Sequence, residues 1–191
     1  MAFSLKYNLI LGSKSPRRKE LLEKLGFEFT QISLDADETF PADLPPQEVA
    51  EFLSRKKAAA GIDDLNADDL LITSDTTVVI GKTILNKAAN AAEAKAMLEL
   101  LSGKEHEVIS GVCLTSKEKA ISFSVSTKVF FKELSADEID YYIEKYKPFD
   151  KAGAYGIQEW IGMIGVEKME GSFYNVMGLP VKEVWEQLRS F

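Results

Sequence analysis

The sequence is poor in the two residues that most often build metal sites and covalent cross-links. It has one cysteine and one histidine among 191 residues, which excludes a disulfide framework and a cysteine-rich zinc module. Histidine-assisted nucleophilic catalysis would depend on His106 alone, and we expect a structural role for it instead. Cys113 lies in an apolar segment and is expected to be an inert core residue.

Long apolar runs are also missing. No stretch reaches the roughly 18 consecutive apolar residues of a membrane span, and Met1–Asn8 lacks the apolar core of a secretory signal. A single cysteine fits a reducing compartment. Together these features predict a soluble, cytoplasmic protein with no membrane partner.

Positive charge is scarce relative to negative charge. The chain has 23 Lys and Arg residues against 30 Asp and Glu residues, for a formal net charge of −7. Non-specific nucleic-acid binding depends on a basic face, so nucleic acid is not an expected partner. A small anion can still bind where basic residues cluster. The two common nucleotide-binding fingerprints, G-x-x-x-x-G-K-[ST] and G-x-G-x-x-G, are absent.

Strand and helix patterns alternate along a chain of ordinary globular composition, 46% hydrophobic and 28% charged. This length favours one domain over residues 1–191. The predicted fold class is mixed α/β, and the long strands of the second half disfavour a purely parallel sheet. Strands are predicted over Tyr7–Gly12, Phe27–Ser33, Leu70–Ile80, Glu107–Leu114, Ile121–Phe131, Ile161–Met169 and Phe173–Met177. Helices are predicted over Ser15–Leu25, Gln47–Ala60, Ala91–Leu101, Ser135–Tyr146 and Val181–Arg189.

The first candidate site is the segment G-S-K-S-P-R-R, which joins the first strand to the first helix. Ser15 followed by Pro16 is typical of a helix start, and the N–H groups at a helix N-terminus favour an anion. Ser13 adds a hydroxyl, while Arg17 and Arg18 add guanidinium groups that match phosphate geometry. The segment predicts phosphate binding. The alternative is a capped surface helix with solvated charges.

The second candidate is Asp75, which lies in the apolar strand pattern L-L-I-T-S-D-T-T-V-V-I. A carboxylate in such a strand is costly unless it is paired, bound to a metal or placed at a cleft. Asp75 could hold Mg²⁺ or take a proton from water. The alternative is an aspartate that turns outward at the end of a strand.

The third candidate is the late segment D-K-A-G-A-Y-G-I-Q, in which small residues allow a ligand to approach the backbone closely. The Gln158 amide can pair with both groups of a uracil-like imide edge, but an amide can flip, so neighbours must fix its orientation. Taken separately, this segment is better explained as a glycine-rich turn. Glu38 could hold a cation and Lys87 a phosphate, while Lys57 on its helix is most simply a solvated charge.

Taken in order, S-x-S-P-R-R, S-D-T and D-K-A-G-A-Y-G-I-Q resemble the Maf family of nucleoside triphosphate pyrophosphatases, over about Leu9 to Val184. The resemblance implies hydrolysis of a nucleoside triphosphate to the monophosphate and pyrophosphate with a divalent metal cation, Mg or Mn. The late segment is similar to the dTTP/UTP branch rather than the 7-methylguanosine triphosphate branch, with modified pyrimidine nucleotides left open. The implied fold is an elongated mixed α/β structure (Maf/ITPase-like) with two lobes around a central cleft, often a homodimer.

The resemblance also implies roles for individual residues. Asp75 matches the proposed general base, while Arg17, Thr76 and Gln158 match positions tied to specificity. Glu38 matches an acidic position and, with Asp75, could hold the metal. The remaining residues expected to bind substrate are Ser13, Arg18, Lys57, Lys87 and Lys151. Where the family commonly has a Lys-Pro pair after an acidic residue, this chain has Asn86-Lys87-Ala88, which weakens the case for a metal role there.

Two other functions compete with this interpretation. One is a non-catalytic nucleotide-binding regulator, for example of cell division. The other is a phosphatase that releases inorganic phosphate. Analysis of the reaction products would separate all three.

Overall fold

Strands and helices are interspersed from residue 8 onward. A computed structural model describes residues 5–191 and contains, in this range, seven strands and seven helices. In chain order they are β1 (Asn8–Gly12), α1 (Pro16–Lys24), β2 (Phe29–Ile32), α2 (Pro46–Gly61), β3 (Asp69–Ile80), β4 (Thr83–Leu85), α3 (Ala91–Leu101), β5 (Glu105–Thr115), β6 (Ala120–Phe131), α4 (Ala136–Tyr146), α5 (Trp160–Gly165), β7 (Val166–Glu170), α6 (Phe173–Met177) and α7 (Val181–Ser190).

The strands form one mixed sheet in the order β2-β1-β3-β5-β6-β7, with β4 paired to β3. β1 runs parallel to both β2 and β3, whereas β4 is antiparallel to β3 and β7 is antiparallel to β6. The mixed α/β prediction and the argument against a purely parallel sheet are therefore confirmed.

The chain divides into two compact units. The first comprises Met1–Thr76 (described from residue 5), Ser110–Val125 and Gly178–Phe191, and the second comprises Thr77–Ile109 and Ser126–Met177. In the first unit the buried core includes Leu11, Leu22, Val49, Leu71 and Ile72. In the second it includes Leu98, Leu101, Val129, Ile139 and Tyr142. The single-domain organisation, the elongated shape and the central cleft stay predictions.

Two helices begin where their local sequence indicates. The Ser15 hydroxyl caps α1 by accepting a hydrogen bond from the backbone N–H of Arg18. Ser135 and Glu138 form a complete capping box at the start of α4. Such caps satisfy N–H groups that have no partner within the helix. No helix within residues 5–191 is long and apolar enough to cross a membrane.

Two predicted strands are wrong. The first five residues of the expected strand Ile161–Met169 belong to helix α5 (Trp160–Gly165), and only the remainder belongs to β7. The expected strand Phe173–Met177 is helix α6. Short apolar runs fit either element, and local contacts decide. Glu159 O accepts from the N–H groups of Gly162 and Met163, and Ser172 Oγ accepts from the N–H of Asn175, so each segment turns into a helix.

Candidate active site

Strand β3 carries the central site residues on its two faces. Thr73 and Asp75 contact helix α2, because the Thr73 hydroxyl donates to Ser54 O at 2.7 Å and Lys57 Nζ donates to Asp75 Oδ1 at 2.5 Å. Thr76, the next residue, has a different set of partners from α1 and β5. This is the alternation expected of successive residues in a strand.

Asp75, Lys57 and Glu38 form an acid–lysine cluster. Lys57 Nζ lies 2.5 Å from Asp75 Oδ1 and 2.9 Å from Glu38 Oε1. The Asp75 and Lys57 side chains are only 15% and 16% exposed, whereas the Glu38 side chain is 57% exposed. Low exposure strengthens the Lys57–Asp75 attraction, since less water screens the two charges. The simplest expectation for Lys57, a solvated charge, is therefore wrong, because this side chain is largely buried and pairs with both Asp75 and Glu38.

Arg18 is bound on several sides by the protein itself. Its Nε donates to Gly178 O at 2.8 Å, Nη1 donates to Ser74 O at 2.8 Å and to Ser13 Oγ at 3.4 Å, and Nη2 donates to Thr76 Oγ1 at 3.0 Å. Burial lowers the pKa of Arg18, and the nearby Asp75 carboxylate partly opposes that effect. The guanidinium thus holds the strand on both sides of Asp75.

The Thr76 hydroxyl is the second centre of this arrangement. Besides accepting from Arg18, it lies 2.8 Å from the hydroxyl of the fully buried Ser110 and 3.4 Å from Gly178 O. A hydroxyl has one proton and two lone pairs, and these three partners match that capacity. Ser13, Arg18, Ser110 and Thr76 therefore form one connected polar cluster.

The start of α1 has the geometry that its sequence predicts. Ser13 is buried, and its Oγ accepts from the N–H of Ser15 at 3.2 Å. Gln31 Nε2 donates to Ser13 O at 2.7 Å, which ties this segment to β2. Arg17, in the first turn of α1, is half-buried.

In the second unit, the late segment is joined to the segment that carries Lys87. Lys87 and Ala152 form an antiparallel bridge, and the N–H of Gly153 donates to Leu85 O at 3.1 Å and to Asn86 O at 3.2 Å. Gly153 has a φ of +67°, and a Cβ there would lie 3.1 Å from Val78, so glycine suits this position. The Lys87 residue is exposed.

Lys151 belongs to a charged network in the same unit. Its side chain is 9% exposed, and Nζ lies 2.7 Å from Asp150 Oδ1 and 3.0 Å from Glu159 Oε1. The other Glu159 oxygen accepts a short hydrogen bond from the Tyr142 hydroxyl. Burial, followed by the Glu159 contact, raises the pKa of Tyr142.

Gln158 lies in the turn between the late segment and α5, and it is exposed. The N–H of Glu159 donates to Gly156 O at 3.0 Å and closes this turn. Tyr142, Glu159 and Ser110 are not indicated as site residues by any sequence motif. Tyr142 and Ser110 lie in regular elements whose patterns indicate only packing, and Glu159 is an ordinary charged residue just before a predicted strand.

His106 and Cys113 both occupy core positions. His106 is buried, its Nε2 is hydrogen-bonded to the Tyr155 hydroxyl at 2.7 Å, and its ring packs edge-on against Phe131 and Tyr155. Burial lowers the pKa of His106 to about 4. Cys113 is also buried, and burial raises the pKa of its thiol. Both residues therefore lie in the core, which confirms the core position expected of Cys113 and agrees with a structural role for His106.

The described residues form a mixed α/β fold, and the acid–lysine cluster includes Asp75 of strand β3. The family model for Maf-like proteins matches residues 8–191 of this chain. Similar curated proteins carry the name dTTP/UTP pyrophosphatase. The relative from Parabacteroides distasonis is 48% identical over 97% of this chain and 97% of its own length, and that from Porphyromonas gingivalis is 49% identical over 97% and 95%. A relative from Cytophaga hutchinsonii is 50% identical over 95% of this chain and 83% of its own.

These matches cover nearly the whole described chain. The protein belongs to the Maf family, as its three motifs predicted. Among solved structures, the Staphylococcus aureus Ham1 protein aligns over 94% of this chain and 99% of its own, with 13% identity and a TM-score of 0.49.

Proposed function

We propose that this protein is a nucleoside triphosphate pyrophosphatase that hydrolyses dTTP and UTP to the monophosphate and pyrophosphate. The observation that carries the proposal is the near-full-length identity of 48–50% to proteins named dTTP/UTP pyrophosphatase. The acid–lysine cluster on β3 supports it, because it holds a carboxylate suited to proton transfer at the position the family pattern assigns to the base.

Asp75 is the proposed general base. The oxygen of a water molecule forms a bond to the α-phosphorus, and the bond from that phosphorus to the bridging oxygen of the leaving group breaks. The electron pair leaves with pyrophosphate, and the water proton passes to the Asp75 carboxylate. Lys57 fixes this carboxylate against α2 at 2.5 Å, and fixed geometry is what a general base requires.

Basic groups supply the charge that the acidic chain otherwise lacks. Arg17 and the N–H groups at the start of α1 are assigned to the phosphates, since a helix N-terminus and a guanidinium both favour an anion. Arg18, with four bonds to protein atoms, shapes this segment and holds Thr76. Ser13, Lys57, Lys87 and Lys151 complete the proposed substrate-binding set.

Glu38 and Asp75 are the carboxylates proposed to hold a divalent cation, and Asp75 acts as the base only where it is not itself a metal ligand. Both lie within 3 Å of the Lys57 ammonium. Within residues 5–191 no group of three or more His, Cys, Asp or Glu side chains is placed to hold a metal ion, so further ligands would have to come from elsewhere. Mg²⁺ typically binds one or two carboxylates and takes its other ligands from water and substrate phosphates. When bound, Mg²⁺ or Mn²⁺ would neutralise charge on the pyrophosphate leaving group.

Gln158 is the residue proposed to recognise the nucleobase. Its carbonyl accepts from the imide N–H of uracil or thymine and its NH₂ group donates to the adjacent carbonyl oxygen. Arg17 and Thr76 contribute to selectivity, as the family pattern implies. With the amide fixed in one orientation by its neighbours, cytosine and adenine leave part of this set unpaired, which reduces transition-state binding.

The test is kcat/KM for dTTP, UTP, CTP, ATP and GTP with Mg²⁺ and with Mn²⁺, together with identification of the released product. We expect pyrophosphate as the product and a preference for dTTP and UTP of roughly tenfold or more. Gln158→Glu should lower activity on UTP more than on purine nucleotides, because glutamate cannot donate the amide hydrogen bond. The matched control is Gln47→Glu, an exposed glutamine at the start of α2.

Three outcomes would overturn the proposal. Inorganic phosphate as the first product would indicate a phosphatase, and binding without either product would indicate a non-catalytic nucleotide-binding regulator. A flat nucleotide profile would remove the pyrimidine preference.

The proposal includes a single functional domain over residues 1–191 and a cytoplasmic location, which chain length and composition predict. It also includes a homodimer, which the family resemblance implies. Light scattering on the purified protein tests the homodimer.

A further inference from the structure

The turn that carries Gln158 is tied to a fully buried tyrosine of helix α4. The N–H of Gly156 donates to the Tyr142 hydroxyl at 3.0 Å, and the same hydroxyl donates to Glu159 Oε2. Gly156 and Glu159 are also bonded to each other across the turn. One hydroxyl therefore joins the residues on both sides of Gln158.

The ion pair of Lys151 completes this support. Glu159 Oε1 lies 3.0 Å from Lys151 Nζ, and Oε2 accepts a hydrogen bond from the Tyr142 hydroxyl. Both carboxylate oxygens are therefore held by buried groups. Gly156 packs directly against them, because a Cβ at this position would lie 2.8 Å from Glu159 Cδ and 3.0 Å from Lys151 Cε. The turn is thus closely packed beneath an exposed Gln158 side chain.

We propose that Tyr142, acting through Glu159 and Gly156, is a positioning residue that sets the base selectivity of Gln158. The inference rests on the proposed function, because it concerns how Gln158 distinguishes one pyrimidine from another. A freely rotating amide could satisfy either uracil or cytosine by exchanging its donor and acceptor. The neighbours that fix the orientation of this amide can do so only if Gln158 is held at one place, and Tyr142 holds the turn from which the side chain extends.

The informative measurement is the ratio of kcat/KM for UTP to kcat/KM for CTP. A partly unfolded preparation lowers both values equally, so the ratio responds to positioning and not to the folded fraction. Tyr142→Phe keeps the ring and removes the hydroxyl. We expect the ratio to fall about threefold or more, because small displacements of a recognition group cost selectivity. The control is Tyr146→Phe, which removes the hydroxyl of a ring whose centroid lies 5.1 Å from that of Tyr142. This control should leave the ratio unchanged.

A double-mutant cycle with Gln158→Ala separates this inference from the proposed function. In the Gln158→Ala background, Tyr142→Phe should change the ratio by less than about 1.5-fold, because residues that act through one another are not additive. An equal effect in both backgrounds, or an unchanged ratio in Tyr142→Phe, would overturn the positioning role. If Gln158→Ala itself leaves the ratio unchanged, the proposed function of Gln158 is what fails.

Glu159→Gln provides a second, milder variant should Tyr142→Phe fail to fold. It retains oxygen and nitrogen atoms at the contact with Tyr142 but removes the charge that pairs with Lys151. We expect it to lower the ratio in the same direction. A folded Glu159→Gln variant with the wild-type ratio would contradict the proposal.

Discussion

Lys57 Nζ lies within 3 Å of two carboxylates, 2.5 Å from Asp75 Oδ1 and 2.9 Å from Glu38 Oε1. The three side chains come from β3, α2 and the segment that precedes α2. One ammonium group therefore pairs with both the proposed base, Asp75, and the more exposed Glu38. Substitutions can test the two carboxylates separately.

Asp75→Asn should lower kcat by roughly 10² or more with UTP as substrate, because an amide cannot accept the water proton. The free energy of unfolding, measured by urea denaturation, should change much less than the activation free energy of the reaction does. Asp140→Asn is the control, since it also breaks an ion pair with a lysine, Lys95, but at the surface. A folded Asp75→Asn enzyme with near-normal kcat would contradict the assignment.

Glu38→Gln should raise the Mg²⁺ concentration needed for half-maximal activity by roughly tenfold, because the amide lacks the charge of a hard-cation ligand. The measurement is a Mg²⁺ titration of the initial rate at saturating UTP. Asp37→Asn serves as the control, because Asp37 is the adjacent acid and pairs with Lys56 instead. Equal Mg²⁺ requirements in wild type and Glu38→Gln would remove Glu38 from the metal site.

Arg18→Lys should lower the free energy of unfolding by about 2–4 kcal/mol, since a single ammonium cannot reach the acceptors that the guanidinium joins. Those acceptors are Gly178 O, Ser74 O, Ser13 Oγ and Thr76 Oγ1. Urea unfolding gives the value. Arg189→Lys is the control, because Arg189 is exposed in the last turn of α7. A loss below about 0.5 kcal/mol, the usual range for a surface substitution, would show that Arg18 is not structural.

The buried His106 should make the protein less stable at acid pH. Its pKa falls from an ordinary 6.5 to about 4 in the folded state, so between these values the unfolded chain binds a proton that the folded chain does not. Stability is then lost as the pH falls from 6.5 toward 4, by up to about 3 kcal/mol. Urea unfolding at pH 5, 6 and 7 measures the slope, which should be flatter in His106→Gln. Equal slopes for both proteins would contradict this linkage.

The sequence predicts elements well where the signal is local. Ser15 with Pro16 locates the start of α1, and Ser135 with Glu138 locates the start of α4, because a cap needs only hydrogen bonds within one helical turn. The segments after Glu159 and Ser172 were predicted as strands and are helices. Each is only five or six residues long, and a short apolar run has no periodicity that separates the two states.

The three short motifs, in their fixed order, identify the family without any knowledge of their contacts. The partners of each charged group, in contrast, depend on how the chain folds. Arg17 and Arg18 are identical neighbours in the sequence, yet it is Arg18 that donates to Ser74 O and Gly178 O. Lys56 and Lys57 are likewise adjacent, yet only Lys57 reaches Asp75. These pairs join residues far apart in the chain, and apolar packing, which is not directional, brings them together. Such packing leaves no local pattern from which the partners could be read.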